Sequence, residues 1–142
     1  MLIAAFPLGA QLVEAPTNLA TVETNRSRQC VTMLAEIEAI NEIVYHTVNN
    51  GVYRAGFAAT QDAYNEAVTA LFATLDDLEV RLGQQRYLVG DRLTEADWRL
   101  WVTLIRFDAC YVGAFKCNIR RIQDYPNLFN YTRELYQIPG IA

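Results

Sequence analysis

The sequence predicts an all-α bundle in which neighbouring helices run antiparallel. Apolar side chains recur at spacings of three and four residues along several stretches, which is the period of an amphipathic helix. No stretch has the two-residue alternation that would pair with a β-strand. The 142 residues fit one domain, long enough to bury a core without disulfide or metal staples.

The N-terminal part of the chain has no sustained helical pattern. Pro7 and Pro16 interrupt residues 1–28, which we treat as an irregular segment without an assigned role. From about Arg28 a helix is predicted that ends at residues 49–51, because Asn and Gly tolerate the left-handed backbone of a helix stop. The polar residues interpreted as loop are Thr17, Asn18, Thr21, Thr24, Asn25 and Ser27. The apolar stripe of the helix consists of Leu34, Ile37, Ile40, Val44 and Val48.

An irregular connection over residues 52–59 leads to the second helix. Thr60 is its predicted N-cap, and Asp62 in the first turn faces the positive end of the helix dipole. Its apolar face consists of Tyr64, Ala67, Leu71, Leu75, Leu78 and Leu82. Gly83 ends this helix, and residues 87–89 are predicted to form an extended connector rather than a sheet strand.

The third helix opens with the sharpest local signal, a capping box formed by Thr94 and Asp97. This helix is predicted to be the most buried element, with apolar positions at Trp101, Leu104, Ile105, Ala109 and Val112. A last helix has Pro126 in its first turn and Asp124 as its predicted cap. It is expected to bury Leu128, Tyr131 and Leu135 and to end at Pro139 and Gly140.

Composition and charge exclude several classes of function. The chain has 16 acidic and 12 basic residues, a net charge of −4, so we expect no nucleic acid partner. With 52% hydrophobic residues, it is not a disordered acidic tail. The apolar residues 1–10 lack a basic region and are interrupted by Pro7 and Gly9, so we expect neither a signal peptide nor a membrane partner.

The thiols and the histidine match no disulfide or metal framework. Cys30, Cys110 and Cys117 are odd in number without C-x-x-C spacing, and His46 is the only histidine. We therefore expect no metal and a reduced, cytoplasmic location. Cys110 and Cys117 are interpreted as structural thiols in apolar surroundings, which raise the pKa of a thiol. The position of His46 before a helix stop favours a capping role over catalysis.

Tyrosine is the most informative residue type in the chain, which contains eight. Tyr53 is placed in the loop after the first helix, and Tyr111 lies inside the third helix. Because a buried phenol needs a hydrogen-bond partner, several phenols converging on a pocket would suit an aromatic ligand with hydroxyl or carbonyl groups. Core packing is the alternative for any single tyrosine. Lys116, Arg120 and Arg121 form a basic cluster that either meets an anion or complements the helix dipole or the carboxylates of Asp108 and Asp124.

Five segments together resemble one known family. They are residues 49–58 (NNGVYRAGFA), 87–97 (YLVGDRLTEAD), 106–108 (RFD), 115–118 (FKCN) and 125–128 (YPNL). The set resembles the glutathionyl-hydroquinone reductases, the Xi class of glutathione transferases. The NNGVY and FKCN segments are the most specific. The capping box within residues 87–97 is less specific, because the helical domain of most glutathione transferases carries a similar one.

The resemblance covers about residues 34–142 and implies a two-part enzyme. In this family a thioredoxin-like domain binds glutathione, the cosubstrate, and supplies the catalytic cysteine of a Cys-Pro-Trp motif. An all-helical domain builds the hydroquinone side of the cleft. Residues 29–142 resemble this glutathione transferase C-terminal-like domain, and we expect the thioredoxin-like domain to be absent from this chain. No cysteine here precedes Pro-Trp, so no catalytic residue is assigned, whereas Tyr53 and Tyr111 match family tyrosines that bind the substrate.

Two hypotheses of function follow. In the first, the chain is the helical substrate-binding domain of a reductase that releases hydroquinones from glutathionyl-hydroquinones, and it is inactive by itself. Its ligand is then a glutathionyl-hydroquinone or a related aromatic small molecule. The alternative is a non-catalytic helical module for dimerisation or interaction that kept the transferase fold. A homodimer fits both hypotheses, because the resemblance implies dimer contacts through the helical domain.

Overall fold

The computed structural model describes residues 19–141, with side chains described from Ser27 onward. Its helices are α1 (Leu19–Ile43), α2 (Gly51–Gly56), α3 (Gln61–Leu82), α4 (Glu95–Arg106), α5 (Val112–Ala114) and α6 (Pro126–Tyr136). Val44–Asn49 and Phe107–Tyr111 form π-helical turns, and Ile122–Asp124 forms a 3-10 turn. No β-strand occurs between residues 19 and 141, so the all-α prediction is confirmed. The chain divides between Thr32 and Met33, and the site described below lies in the second part.

Helix α3 lies at the centre of the packing and contacts α2, α6 and the first π-helical turn. Thr60 caps it as predicted, because its hydroxyl accepts the backbone N–H of Ala63 at 3.2 Å. The helix ends at Leu82, also as predicted. Its predicted apolar face is buried at Ala67, Leu71, Leu75 and Leu78.

Helix α1 begins at Leu19, so the expected start near Arg28 is wrong. Of the polar residues interpreted as loop, Thr21, Thr24, Asn25 and Ser27 are helical, whereas Thr17 and Asn18 lie outside the described residues. Residues 27–32 are exposed along this helix. Residues 19–27 show no sustained apolar period in the sequence, so periodicity did not indicate this part of the helix. The division of the chain at residue 28 into a segment and a domain stays a prediction.

The predicted helix stop at residues 49–51 is also wrong. Asn50 has right-handed backbone angles (φ −84°), and its N–H bonds to the carbonyl of Tyr45 at 2.9 Å. The chain therefore passes through the π-helical turn directly into α2, and residues 52–56 are helical rather than irregular. Val48 and Val52 are both fully buried, so the apolar stripe continues across the junction and favours helix over loop. At the other end of the stripe Leu34 is 54% exposed, contrary to expectation.

The connector before α4 is fixed by a buried carboxylate. Asp97 forms the predicted capping box with Thr94, and its Oδ2 accepts the Thr94 N–H at 2.7 Å. Its Oδ1 accepts the N–H of Leu88 and the hydroxyl of Tyr131, both at 2.9 Å. Residues 87–89 are buried, and the N–H of Tyr87 bonds to the carbonyl of Gly90 at 3.0 Å, which closes a tight turn. One side chain thus joins the connector, α4 and α6.

The third predicted helix is amphipathic rather than buried on all sides. Leu104 is buried as expected, but Ile105 is 39% exposed and Ala109 is exposed. The buried face consists of Ala96, Leu100, Thr103, Leu104, Phe107 and Tyr111. The near-continuous apolar run hid this face, because periodicity separates the two sides of a helix only when one side is polar.

The last helix, α6, buries Leu128, Tyr131 and Leu135 and has Pro126 in its first turn, as predicted. It ends at Tyr136, before the expected Pro139. Asp124 is not its cap and instead accepts the N–H of Arg121 at 2.9 Å in the preceding 3-10 turn. Glu79 of α3 bonds the first free N–H groups of α6, with its two oxygens 2.9 and 2.8 Å from the nitrogens of Asn127 and Leu128. A cap from another helix leaves no local sequence pattern.

Candidate functional site

The structure brings the two predicted site residues together. Tyr53 lies on α2, not in a loop as expected, and Tyr111 is the last residue of the second π-helical turn. Their hydroxyl oxygens are 3.2 Å apart, and either hydroxyl can donate the hydrogen bond. The ring centroids are 5.7 Å apart, with an interplanar angle of 69°. The role of this pair in substrate binding stays a prediction.

The two phenols differ in their exposure to solvent. Tyr53 is 43% exposed, whereas Tyr111 is only 5% exposed. Burial, together with the hydrogen bond to Tyr53, raises the pKa of Tyr111. Tyr111 therefore stays a neutral group, able to donate or accept one hydrogen bond, well above neutral pH. The pair presents one phenol to solvent and anchors the other in the core.

Three phenylalanines extend the pair into an aromatic cluster. The ring centroid of Phe115 lies 5.3 Å from that of Tyr53 and 5.5 Å from that of Tyr111. Phe57 lies 5.3 Å from Phe115, and the buried Phe107 lies 6.3 Å from Tyr111. Sequence reasoning missed these neighbours. The signal was present, because Phe57 and Phe115 each follow a site tyrosine by four residues, the spacing of one helix face.

An open groove of about 380 Å³ lies beside the cluster. Of the aromatic cluster only Phe115 lines it, together with Gly56, Tyr64 and Lys116 among others. The Tyr64 hydroxyl donates to the Lys116 carbonyl at 2.6 Å and ties α3 to the turn after α5. Lys116 adopts a left-handed backbone conformation (φ 58°), which is uncommon outside glycine.

The three cysteines are free thiols in different environments. Cys117 is fully buried, and burial raises the pKa of its thiol to about 11, as its apolar surroundings predicted. Cys110 is exposed, so the expectation of apolar surroundings is wrong for this residue. It neighbours Tyr111, whose side chain occupies the core side of the turn. Cys30 is exposed as well.

The basic cluster separates into residues with different partners. The Arg120 guanidinium pairs with the Asp76 carboxylate of α3 at 2.7 Å. Its central carbon also lies 4.7 Å from the ring centroid of Tyr125. Asp108 accepts backbone N–H groups of residues 122 and 123, at 2.6 and 3.1 Å, and is not paired with a cation of the cluster. Arg120 thus complements a carboxylate, but its partner is Asp76 rather than the expected Asp108 or Asp124.

The described residues contain no cluster suited to a metal. Between residues 19 and 141, no three His, Cys, Asp or Glu side chains are placed to hold an ion. Within the same range, no helix combines the length and the apolar character needed to cross a bilayer. His46 lies in the first π-helical turn, 61% exposed, with its Nε2 atom 3.7 Å from a Glu42 carboxylate oxygen.

Comparison with known proteins places this geometry in a family. Residues 61–134 match the model of the glutathione S-transferase C-terminal domain. The chain is 58% identical over 107 residues to the glutathionyl-hydroquinone reductase YqjG of Escherichia coli, covering 75% of this chain and 33% of that protein. It is 67% identical over 93 residues to the glutathionyl-hydroquinone reductase PcpF of Sphingobium chlorophenolicum, covering 66% of this chain and 30% of that protein.

Solved structures agree with the sequence relatives. The glutathione-bound structure of YqjG from Escherichia coli K-12 superimposes with a TM-score of 0.77 and 55% identity, covering 78% of this chain and 36% of that one. Glutathione transferase Xi 1 from Trametes versicolor gives a TM-score of 0.73 and 57% identity, covering 75% and 37%. The chain spans about a third of the length of the curated relatives it matches. It belongs to the glutathione S-transferase C-terminal domain family.

Proposed function

We propose that this chain is the helical substrate-binding domain of a glutathione-dependent reductase that releases hydroquinones from glutathionyl-hydroquinones. Tyr53 and Tyr111 are the proposed substrate-binding residues. The observation that carries the proposal is the hydrogen-bonded pair of phenols, 3.2 Å apart, of which Tyr53 is 43% exposed. Close relatives named glutathionyl-hydroquinone reductase support it.

The phenol pair suits the chemistry of such a substrate. Reductive cleavage of the carbon–sulfur bond leaves an electron pair on the hydroquinone ring, which then takes up a proton. A phenol is a neutral donor that can bind a hydroquinone oxygen and stabilise negative charge developing on it, by a few kcal/mol in a preorganised site. The raised pKa of Tyr111, caused by burial and by the Tyr53 hydrogen bond, keeps that donor protonated at the pH of the reaction.

The nucleophile of the reaction lies elsewhere in this proposal. Attack on the glutathionyl sulfur needs a thiolate, and burial raises the pKa of the Cys117 thiol to about 11, so Cys117 is unsuited to it. We propose that a thioredoxin-like domain supplies the thiolate and most contacts to glutathione, and that the chain has no reductase activity alone. Two exposed free thiols, Cys30 and Cys110, support a reducing, cytoplasmic location.

Binding measurements on the chain test the role of the tyrosines. We expect a glutathionyl-hydroquinone, titrated by calorimetry, to bind the wild type and to bind Tyr53→Phe and Tyr111→Phe about five- to tenfold more weakly, because each variant loses one hydrogen bond. Tyr136→Phe is the matched control, since Tyr136 is 49% exposed and lies on α6. Unchanged affinity of both site variants, or an equal loss in the control, contradicts the proposal. If the chain alone releases hydroquinone, the proposal that the nucleophile lies in another domain is wrong.

A second function, a dimerisation module, is favoured by one observation. Leu34 and Ile43 of α1 are 54% and 53% exposed, and Val80 of α3 is 62% exposed. Ile43 and Val80 both line an open groove of about 510 Å³ between the two helices. We propose that this surface supports a homodimer. Sedimentation equilibrium should then give a dimer that Val80→Glu dissociates, and a monomer at every concentration contradicts it.

A further inference from the structure

Phe115 is the side chain that touches both site tyrosines. Its ring meets Tyr53 at an interplanar angle of 63° and lies closer to parallel with Tyr111, at 30°. The centroid distances of 5.3 and 5.5 Å are those of favourable aromatic pairs. We propose that Phe115 is a positioning residue: its ring holds the two phenols where their hydroxyls lie 3.2 Å apart. The consequence for ligand binding rests on the function proposed above.

The position of the Phe115 ring is fixed by Gly56. A Cβ atom placed on Gly56 would lie 2.4 to 2.9 Å from three carbons of the Phe115 side chain, closer than real contacts allow. The last residue of α2 therefore has to be glycine for the ring to pack against this helix. Since Tyr53 lies on the same short helix, the contact sets the distance from α2 to Phe115 and hence from Tyr53 to the ring.

The backbone on both sides of Phe115 is tied down. The carbonyl of Tyr111 accepts the N–H of Phe115 at 3.2 Å and that of Cys117 at 3.1 Å. Cys117 is fully buried, and the carbonyl of Lys116 accepts the Tyr64 hydroxyl at 2.6 Å. Phe115 thus cannot move independently of Tyr111 or of α3. These anchors make its ring a rigid support against which the phenols pack.

A double-mutant design separates positioning from simple packing. We expect Phe115→Leu to weaken binding of a glutathionyl-hydroquinone about fivefold by calorimetry, and the ring-retaining Phe115→Tyr to stay within about twofold of wild type. In a Tyr53→Phe, Tyr111→Phe background, Phe115→Leu should change affinity by less than about twofold, because the groups it positions are gone. An equal loss in both backgrounds overturns the proposal, and so does the absence of a loss in either background when Tyr53→Phe and Tyr111→Phe themselves weaken binding. Phe129→Leu, an exposed phenylalanine of α6, is the control.

A second readout does not depend on the ligand. The protein is labelled at the tyrosine ζ-carbon and titrated by NMR. We expect the pKa of Tyr111 to be lower in Phe115→Leu and in Gly56→Ala than in the wild type, because a displaced Phe115 ring admits water to the Tyr111 phenol. Phe129→Leu should leave the Tyr111 titration unchanged, because Phe129 is an exposed residue of α6. If the titration moves while Tyr53→Phe and Tyr111→Phe leave affinity unchanged, the positioning role holds and the proposed function fails. An unmoved Tyr111 titration in both variants overturns the positioning role.

Discussion

Replacing Asp97 by Asn tests the buried polar centre of the fold. Asp97 is fully buried, and its Oδ1 accepts hydrogen bonds from the Leu88 N–H and the Tyr131 hydroxyl, both at 2.9 Å. Its Oδ2 accepts the N–H and the hydroxyl of Thr94, at 2.7 and 2.9 Å. An amide keeps only one acceptor oxygen. Whichever way the new amide is oriented, its NH₂ group faces one backbone N–H, whose hydrogen bond is lost, and one hydroxyl, which can turn to accept from it.

The size of the effect follows from these contacts. A hydrogen bond to a charged group contributes about 1.5–3 kcal/mol, so the loss of the bond from the backbone N–H costs about 1.5–3 kcal/mol. The N–H left without an acceptor adds to this cost, whereas an amide is less costly to bury than a carboxylate, so we expect a net loss of about 2 kcal/mol. A domain of this size is stable by about 5–15 kcal/mol, so Asp97→Asn should remain folded in water. It should unfold at a clearly lower urea concentration, as followed by circular dichroism.

A matched control separates burial from charge. Glu95 lies in the same first turn of α4, is exposed, and pairs with Arg99 at 2.6 Å. Glu95→Gln should lower the free energy of unfolding by no more than about 0.5 kcal/mol, because exposed pairs of this spacing contribute little. A loss below about 1 kcal/mol for Asp97→Asn, or a loss no larger than that of the control, refutes the reasoning from its four hydrogen bonds.

Three further results are expected. Glu79→Ala should lower the free energy of unfolding by about 0.5–2 kcal/mol in urea, because two N–H groups at the start of α6 lose their acceptor. Iodoacetamide at mild alkaline pH, followed by mass spectrometry, should modify Cys30 and Cys110 in the native chain well before the buried Cys117. Because the folded pKa of Cys117, about 11, is raised from an ordinary 9.0, its contribution to stability is complete below pH 9 and is lost as pH rises to 11.

Each of these results has its own control. Glu66→Ala, on the exposed face of α3, should change stability far less than Glu79→Ala, and equal losses argue against capping across helices. In urea all three thiols should react alike, and early modification of Cys117 in native chain contradicts its burial. For the alkaline effect, Cys117→Ala should show a shallower loss of stability between pH 9 and 11 in urea titrations. If Cys117→Ala and the wild type lose stability equally steeply between pH 9 and 11, the loss is due to the buried tyrosines and not to Cys117.

The sequence predicted those parts of the fold that depend on neighbours along the chain. The apolar face of α3 and its Thr60 cap follow from local spacing, as does the capping box of Thr94 and Asp97. The start of α1 could not be found in this way, because residues 19–27 show no sustained apolar period in the sequence. The cap of α6 by Glu79 also escaped, since the two partners are 48 residues apart.

The candidate site was predictable in part. Resemblance to a family pointed to Tyr53 and Tyr111, but their contact joins residues 58 positions apart and required the fold. The expected loop around Tyr53 was wrong because Asn50 takes right-handed backbone angles, although asparagine also permits the left-handed ones that end a helix. The exposure of Cys110 likewise depends on which side of the second π-helical turn it faces, and the burial of Cys117 depends on the path of the chain after α5.

The two π-helical turns determine the directions in which Tyr53 and Tyr111 project from their helices. An α-helix advances by about 100° per residue, and a π-helical turn accommodates one additional residue without ending the helix. Tyr53 follows the first turn and Tyr111 closes the second. Deleting one residue within 44–49 or 108–110 would rotate the tyrosine that follows by about 100° about its helix axis. All side chains of the site would still be present, but the two phenols would no longer face each other and their hydrogen bond would be lost.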